Sequence, residues 1–184
     1  RLARRGHPWL YRDDLRNGEL DDPRYDPGML VRIRDDENYD LGLGIASMRS
    51  KIALRLCGPW DSEEVPDPEE FLTHRIQRAA ELRSLQSDPL AGCRVVHGES
   101  DLLPGLVIDR YADVFVIQTT TAWMDAHSAL IAKVLQDQFK VRSVLARNDV
   151  GVRKFERLPE GSVLLAGESV DPVPAEAGGL GQTV

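Results

Sequence analysis

Polar and backbone-controlling residues lie between two apolar runs in the segment His97-Gly98-Glu99-Ser100-Asp101-Leu102-Leu103-Pro104-Gly105-Leu106-Val107-Ile108-Asp109-Arg110-Tyr111. Gly98 can adopt a positive φ, and the three polar side chains after it can accept hydrogen bonds from loop N–H groups. Pro104-Gly105 suits a type II turn, because proline fixes φ at the first central position and glycine supplies a positive φ at the second. The segment is therefore predicted to be a strand, an ordered loop and a second strand.

The chain after residue 66 is predicted to mix helix with sheet. Asp67 is suited to cap a helix that begins at Pro68 and runs to about Leu85. Thr121 is suited to cap a second helix, whose apolar residues recur at helical spacing. Strands are predicted at 94–97, 106–110, 114–120, 143–146 and 162–166. The hairpin, the second helix and the last two strands form a strand-strand-helix-strand-strand α+β domain over residues 67–170.

Short strands and charged turns characterise the first part of the chain. Strands are predicted at 30–34, 39–46 and 51–57. Gly42 and Gly44 lie two apart on one strand, which lets another backbone come close. We predict a small β-barrel over 1–58, a linker at 59–66, and a tail at 171–184 that either starts another domain or is disordered. A unit of about 60 residues buries only about 60% of its unfolded surface, so we expect the barrel to depend on the second unit for stability.

The charge of the chain argues against a surface that attracts nucleic acid everywhere. The 184 residues carry a formal net charge of −7, whereas contacts between cations and phosphates supply most non-specific affinity for nucleic acid. Residues 1–16 and 142–157 are each locally basic, with five arginines or lysines against two acids. A docking face and a solvated surface both stay open for these segments.

Hydropathy gives no sign of a membrane protein. No apolar run approaches the ~20 residues that cross a bilayer, and no positively charged leader precedes an apolar segment. Two cysteines do not make a disulfide framework. We therefore expect a cytoplasmic protein with no membrane partner.

A group of cations beside an aromatic ring makes the N-terminus a candidate nucleic-acid site. Such groups bind phosphates and stack unpaired bases. For Trp9 we favour burial, because a large aromatic side chain contributes most through area removed from water. Lys51 and Arg55 share one face of a predicted strand and extend the patch if they are exposed. The candidate binding residues are Arg4, Arg5, His7, Arg12, Lys51 and Arg55.

His97, Glu99 and Asp101 alternate and would share one face of an extended strand. A metal site is one interpretation, but the glycine after His97 opposes full extension, and a metal needs supporting residues that one segment cannot supply. We predict no metal. Instead we expect Glu99 and Asp101 to accept loop N–H groups or to pair with Arg110 or Arg147.

No residue of the chain is predicted to be catalytic. Cys57 and Cys93 lie at strand ends and are predicted to be small buried residues rather than nucleophiles. Gly179-Leu180-Gly181 cannot cradle a nucleoside, because such a loop needs a strand before it and a helix after it.

The 97–111 segment resembles a signature of bacterial SAM-dependent rRNA (cytosine-C5) methyltransferases with an N-terminal PUA-like domain. Four more motifs match that family in order. They are Arg5-Gly6-His7-Pro8-Trp9-Leu10-Tyr11, Gly42-Leu43-Gly44-Ile45-Ala46 with Ser50-Lys51-Ile52-Ala53-Leu54-Arg55, Arg75-Ile76-Gln77-Arg78-Ala79-Ala80-Glu81-Leu82-Arg83, and Arg147-Asn148-Asp149 with Val152-Arg153. One motif alone is a weak indication, but five in the right order, covering nearly the whole chain, argue against chance similarity.

The resemblance implies a PUA-like RNA-binding barrel, a central α+β domain, and a SAM-binding catalytic domain that follows Val184 in the parent protein. The parent would transfer a methyl group from S-adenosylmethionine (SAM) to C5 of a cytosine, through a thiolate adduct at C6. This chain alone would be inactive, would bind no SAM, and would dock ribosomal RNA. A homodimer stays open. The residues implied to shape the substrate cleft are Glu99, Asp101, Arg110, Arg147, Asn148, Asp149 and Arg153, although an ordinary strand-end turn also accounts for the last four.

Two other functions stay open. A freestanding RNA-binding adaptor would bind RNA as tightly alone as within any longer form. A protein-interaction module would use the acidic 19–40 stretch to meet a basic partner and would bind no RNA.

Overall fold

The computed structural model describes residues 3–15, 28–47, 49–84 and 92–169, and the backbone of two short strands further on. Gly179-Leu180-Gly181, most of the predicted tail and the first part of the acidic stretch lie outside the described residues. No helix in this described part of the chain is both long and apolar enough to span a bilayer.

The first sheet is four-stranded and antiparallel, with the order β1-β4-β3-β2. Its strands are β1 (Trp9–Tyr11), β2 (Leu30–Arg34), β3 (Asp40–Ala46) and β4 (Ile52–Gly58). The predicted hairpin and the strand after it are confirmed, with ends shifted by a residue. Strand β1 was not predicted, because three residues are too few to show an alternating pattern.

Gly42 allows β3 and β4 to approach closely. Its φ is +88°, and a Cβ at this position would lie 2.2 Å from the carbonyl oxygen of Gly58. A Cβ at Gly44 would lie 3.0 Å from the carbonyl oxygen of Arg55. The expected close backbone approach at both glycines is confirmed.

The second sheet has five strands in the order β5-β6-β7-β8-β9. They are β5 (Cys93–His97), β6 (Leu106–Tyr111), β7 (Val114–Thr119), β8 (Ser143–Arg147) and β9 (Ser162–Gly167), and a short pair, β10 (Pro174–Ala175) and β11 (Gln182–Thr183), follows. The four-strand layer predicted for this unit is wrong, because β5 pairs with β6 and adds a fifth strand. Strands β7 and β8 run parallel, so the chain crosses over between them.

In the described residues three α-helices pack against the second sheet. They are α1 (Pro68–Ser84), α2 (Ala122–Ala126) and α3 (Ser128–Gln138). Helix α1 precedes β5, and α2 and α3 connect β7 to β8. The Glu70 amide donates to Oδ1 of Asp67 at 2.9 Å, and the Met124 amide donates to Oγ1 of Thr121 at 3.4 Å. Both predicted N-caps are confirmed, but the single predicted second helix is two helices that meet at His127.

One apolar cluster runs through both sheets. Leu43 and Cys57 of the first sheet pack in the same buried cluster as Phe71 of α1 and Ile108 and Ile117 of the second. Burying this shared surface stabilises both units at about 25 cal/mol per Å² of apolar area removed from water. The expectation that the first unit depends on the second for its stability stays a prediction.

Candidate functional site

The loop between β5 and β6 is held by its own backbone and side chains. Gly98 has a φ of +53° and Gly105 a φ of +81°, as the predicted turns require. The Leu106 amide donates to the carbonyl oxygen of Leu103 at 3.0 Å, which closes the Pro-Gly turn. Oδ2 of Asp101 accepts the His97 amide at 2.6 Å, so this acid holds a loop N–H group as expected.

Asp101 takes its cationic partner from helix α1. Arg83 donates to both carboxylate oxygens of Asp101, at 2.9 and 2.8 Å, and the Asp101 side chain is buried. A two-pronged contact of this kind fixes the carboxylate plane as well as its charge. The expected partners Arg110 and Arg147 were wrong, because the loop faces the last turn of α1 and sequence spacing alone does not show that.

Arg110 and Arg147 make local contacts instead. Arg110 donates to the carbonyl oxygen of Ala112 at 2.7 Å and lies over the ring of Phe115. Arg147 donates to Asp149 at 3.2 Å, and this hydrogen bond lowers the pKa of the Asp149 carboxyl below its ordinary value. Both side chains of this second pair keep substantial exposure.

Glu99 connects the same loop to the first sheet. Nε1 of Trp9 donates to Oε1 of Glu99 at 3.0 Å, and both side chains are half-buried. His7 lies beside them, with Nδ1 2.9 Å from the Trp9 carbonyl oxygen and its ring edge-on to the indole. Trp9 is therefore a contact between the two units rather than a fully buried residue of the first.

The candidate cations fall into different environments. Arg4 forms ion pairs with Asp35 and Glu37 and lies 5.0 Å from the ring centroid of Tyr39. Arg5 and Lys51 are exposed, and no ion pair involves either of them within the described residues. These two are the side chains best placed to meet a phosphate.

Arg12 lies at the edge of the same surface. Its side chain donates to the carbonyl oxygen of Ser47 at 3.2 Å, and its amide donates to the carbonyl oxygen of Lys51 at 3.3 Å. The residue as a whole is exposed. The N-terminal segment is thereby joined to the turn between β3 and β4.

Arg55 is not a surface cation. It is 7% exposed, and its guanidinium lies 2.9 Å from Oε1 of Glu156. The predicted exposure of Arg55 is wrong, because a 3₁₀ helix of the second unit, Gly151–Glu156, brings Glu156 against this face of β4. Oγ of Ser47 donates to Oε2 of Glu156 at 2.7 Å. Glu156 was absent from the predicted site, and nothing local in the sequence marks it.

Asn148 and Arg153 hold the ends of strands rather than facing a ligand. Asn148 accepts the Thr119 amide at 2.9 Å. Arg153 is 2% exposed, contacts the Thr119 carbonyl oxygen, and donates to Asp125 at 2.9 Å and to the Pro159 carbonyl oxygen at 2.8 Å. The expected contact of Arg153 with RNA or another domain is wrong, because its donors are engaged inside the fold.

Cys57 is unsuited to nucleophilic chemistry. The side chain is fully buried, and burial raises the pKa of its thiol to about 12. Because the thiolate is the reactive form, a thiol with so high a pKa is inert near neutral pH. The prediction of a small buried residue is confirmed for Cys57, whereas Cys93 is half-buried.

The described residues do not fit SAM. A glycine-rich cofactor cradle needs a strand, a glycine-rich loop and a helix in succession. Strand β7 passes into α2 through Thr120 and Thr121, and β4 reaches α1 through a segment that holds Pro59 and Pro66. Across the described ranges no three His, Cys, Asp or Glu side chains are placed to hold a metal ion.

This fold recurs in solved structures. A Streptococcus mutans protein named as a SAM-dependent methyltransferase has a TM-score of 0.73, with 17% sequence identity over 98% of this chain and 44% of its own. A second, named as a methyltransferase and complexed with SAH, has a TM-score of 0.74 with the same identity and coverage. The mixed α and β architecture therefore recurs within longer proteins.

The PUA-like domain family matches residues 1–57. Ribosomal RNA large subunit methyltransferase I of Pseudoalteromonas atlantica is 35% identical over 178 residues, which is 96% of this chain and 44% of that relative. The protein of the same name from Shewanella amazonensis is 37% identical over 166 residues, which is 89% of this chain and 41% of that relative. The chain thus spans less than half the length of the relatives it matches, and is similar over most of its own length to proteins named as methyltransferases of large-subunit ribosomal RNA.

Proposed function

We propose that this chain is the RNA-docking portion of a SAM-dependent methyltransferase that modifies RNA of the large ribosomal subunit. The observation that carries the proposal is the 35% identity over 96% of the chain to a relative named for that activity. The match of residues 1–57 to the PUA-like domain family supports a role in RNA binding for the first sheet. SAM as the methyl donor rests on the family resemblance of the 97–111 segment.

The chemistry itself belongs to the rest of the parent protein. We propose that the parent methylates C5 of a cytosine in the cytoplasm, with its nucleophilic thiol and its SAM site outside this chain. We expect the described residues to supply no step of that reaction, since they hold no SAM cradle and the thiol of Cys57 is buried with a raised pKa. Its part is to bind the folded RNA and to orient it.

Arg5 and Lys51 are the proposed phosphate contacts. Both are exposed and carry no ion pair in the part of the chain that the structure describes. The acids beside Arg4 offset its charge, so it contributes less to phosphate binding. His7 and Arg12 lie at the edge of this surface. The 98–105 loop and the exposed Arg147–Asp149 pair are both proposed to line the substrate cleft.

The salt dependence of RNA binding tests this proposal. Each phosphate contact contributes about 0.7 to 0.9 to the slope of log affinity against log salt. Arg5→Gln with Lys51→Gln should therefore reduce the slope for a large-subunit rRNA fragment by about 1.4 to 1.8, as measured by fluorescence anisotropy of the labelled fragment.

A matched control removes the same charge elsewhere. Arg78 and Lys140 are exposed cations of the second unit, and Arg78→Gln with Lys140→Gln should leave the slope almost unchanged. Equal effects of the two double variants would reject the proposed phosphate contacts.

A further inference from the structure

The 3₁₀ helix Gly151–Glu156 has one buried face and one face that the fold leaves in solvent. A 3₁₀ helix has three residues per turn, so residues three apart lie on the same face. Arg153 and Glu156 are 2% and 1% exposed, whereas Val152 and Phe155 are 52% and 64% exposed. The helix therefore presents a small apolar face that ends in an aromatic ring.

Two buried charges hold that apolar face outward. Arg153 donates to Asp125 at 2.9 Å and to Oγ1 of Thr119 at 3.0 Å. Glu156 lies 2.9 Å from Arg55 of β4. Turning Phe155 inward would expose or unpair both charges, and leaving a buried charge unpaired is strongly destabilising. The helix face that carries the ring is thus oriented toward solvent before any ligand arrives.

One cation lies beside the exposed ring, and a second follows two residues after the ring in the sequence. Nζ of Lys154 lies 5.5 Å from the ring centroid of Phe155, and Arg157 follows the helix immediately in a left-handed conformation. The described residues form no ion pair with Lys154 or Arg157. The Glu156 carboxylate is engaged with Arg55, so it does not neutralise them.

The same helix neighbours the turn that carries Lys51. Ser47, at one end of that turn, donates to Glu156 at 2.7 Å, and its carbonyl oxygen accepts from the Arg12 side chain. Lys51 is at the other end of the turn and accepts the Arg12 amide through its carbonyl oxygen. One buried carboxylate therefore joins the helix to the segment that supplies a proposed phosphate contact.

We propose that Phe155, flanked by Lys154 and Arg157, is a stacking platform for an unpaired base of bound RNA. Sites for single-stranded nucleic acid combine a ring on which a base stacks with cations that track the backbone. An apolar protein partner would not require exposed cations next to the ring, and Lys154 and Arg157 pair with no acid among the described residues. The inference deepens the proposed function and rests on it.

Substitution of Phe155 tests the platform directly. Because the ring is largely exposed, Phe155→Ala should leave thermal unfolding almost unchanged. It should weaken binding of a labelled single-stranded rRNA fragment by roughly 10-fold, as expected for the loss of one base–aromatic stack. Phe155→Trp should restore the affinity, and Phe155→Leu should not, since leucine keeps apolar area without a π face.

A second exposed apolar residue provides the control. Val163 on β9 is 57% exposed, and Val163→Ala should leave the affinity as in the wild-type chain. If Phe155→Leu binds as tightly as Phe155→Trp, or if Phe155→Ala changes only the oligomeric state in sedimentation, the platform is overturned. If the wild-type chain binds RNA and every Phe155 variant binds it equally well, only the platform is overturned. If the wild-type chain binds no RNA, the proposed docking role is overturned as well.

Discussion

Oε1 of Glu156 lies 2.9 Å from the Arg55 guanidinium, and both side chains are buried where the two sheets meet. Ser47 adds a hydrogen bond to the other oxygen of the carboxylate. A buried ion pair contributes little net stability over an apolar pair of similar shape, but loss of one member leaves an uncompensated charge. The pair therefore fixes how the 3₁₀ helix sits against β4.

Glu156→Gln should lower the free energy of unfolding by about 3 kcal/mol, because it leaves the Arg55 charge buried without a counter-charge. The measurement is urea denaturation followed by circular dichroism. Glu160→Gln, at an exposed position of the same segment, is the control and should stay within about 0.5 kcal/mol of wild type. A loss at Glu156 no larger than that of the control would contradict the structural role of the pair.

Trp9→Phe should destabilise the chain by about 1 kcal/mol, because it removes the hydrogen bond from the indole N–H to Glu99 and keeps most of the aromatic area. A double-mutant cycle with Glu99→Gln, measured by the same denaturation, isolates that bond. Additive effects of the two substitutions would show that the contact does not couple the loop to the first sheet.

The Arg4–Asp35 pair should give a pH-dependent contribution to stability. The hydrogen bond from Arg4 is the largest cause that lowers the pKa of Asp35, to about 2 from an ordinary value of 3.8. Because the folded-state pKa is depressed, the stabilisation is present above pH 3.8 and is lost as the pH falls towards 2. NMR titration should report a pKa of about 2, and Arg4→Gln should raise it.

That rise should stop short of the ordinary value. The amides of Glu37 and Tyr39 donate to Oδ1 of Asp35 at 3.0 and 2.9 Å. We expect these two bonds to remain when the arginine is replaced. An Asp35 pKa that does not respond to Arg4→Gln would contradict the ion pair.

Cys57 should resist alkylation in the folded protein. Burial raises the pKa of its thiol to about 12 from 9.0. The contribution of the neutral thiol to the free energy of unfolding is therefore fully present below pH 9 and declines as the pH rises towards 12. In a Cys93→Ser background, iodoacetamide at about pH 8.5 should label the chain only after denaturant is added. Rapid labelling without denaturant would show that this part of the core opens readily.

Local chemistry accounts for what the sequence predicted well. The N-caps at Asp67 and Thr121 and the positive φ of Gly98 and Gly105 depend on a few adjacent residues. Caps and turns of this kind form in almost any tertiary environment, because their hydrogen bonds join residues only a few positions apart. The strands flanking these turns were found for the same reason.

Contacts between distant segments account for what was missed. Alternation placed Lys51 and Arg55 on one polar face of the predicted strand 51–57, but it cannot show what covers that face. The 3₁₀ helix that covers Arg55 arrives about a hundred residues later, so β4 is buried on both sides at this point. Asp101 likewise pairs with Arg83 of α1 rather than with a cation close to it in the sequence.

Transfer of the labelled methyl group of SAM to large-subunit ribosomal RNA tests the central claim most directly. The protein to use is the product of the whole reading frame that contains this chain, with the modified position mapped by 5-methylcytosine sequencing. We predict incorporation at a cytosine, reduced by Arg5→Gln with Lys51→Gln and not by Arg78→Gln with Lys140→Gln. No methyl transfer to ribosomal RNA, or transfer that both double variants leave unchanged, would contradict the account.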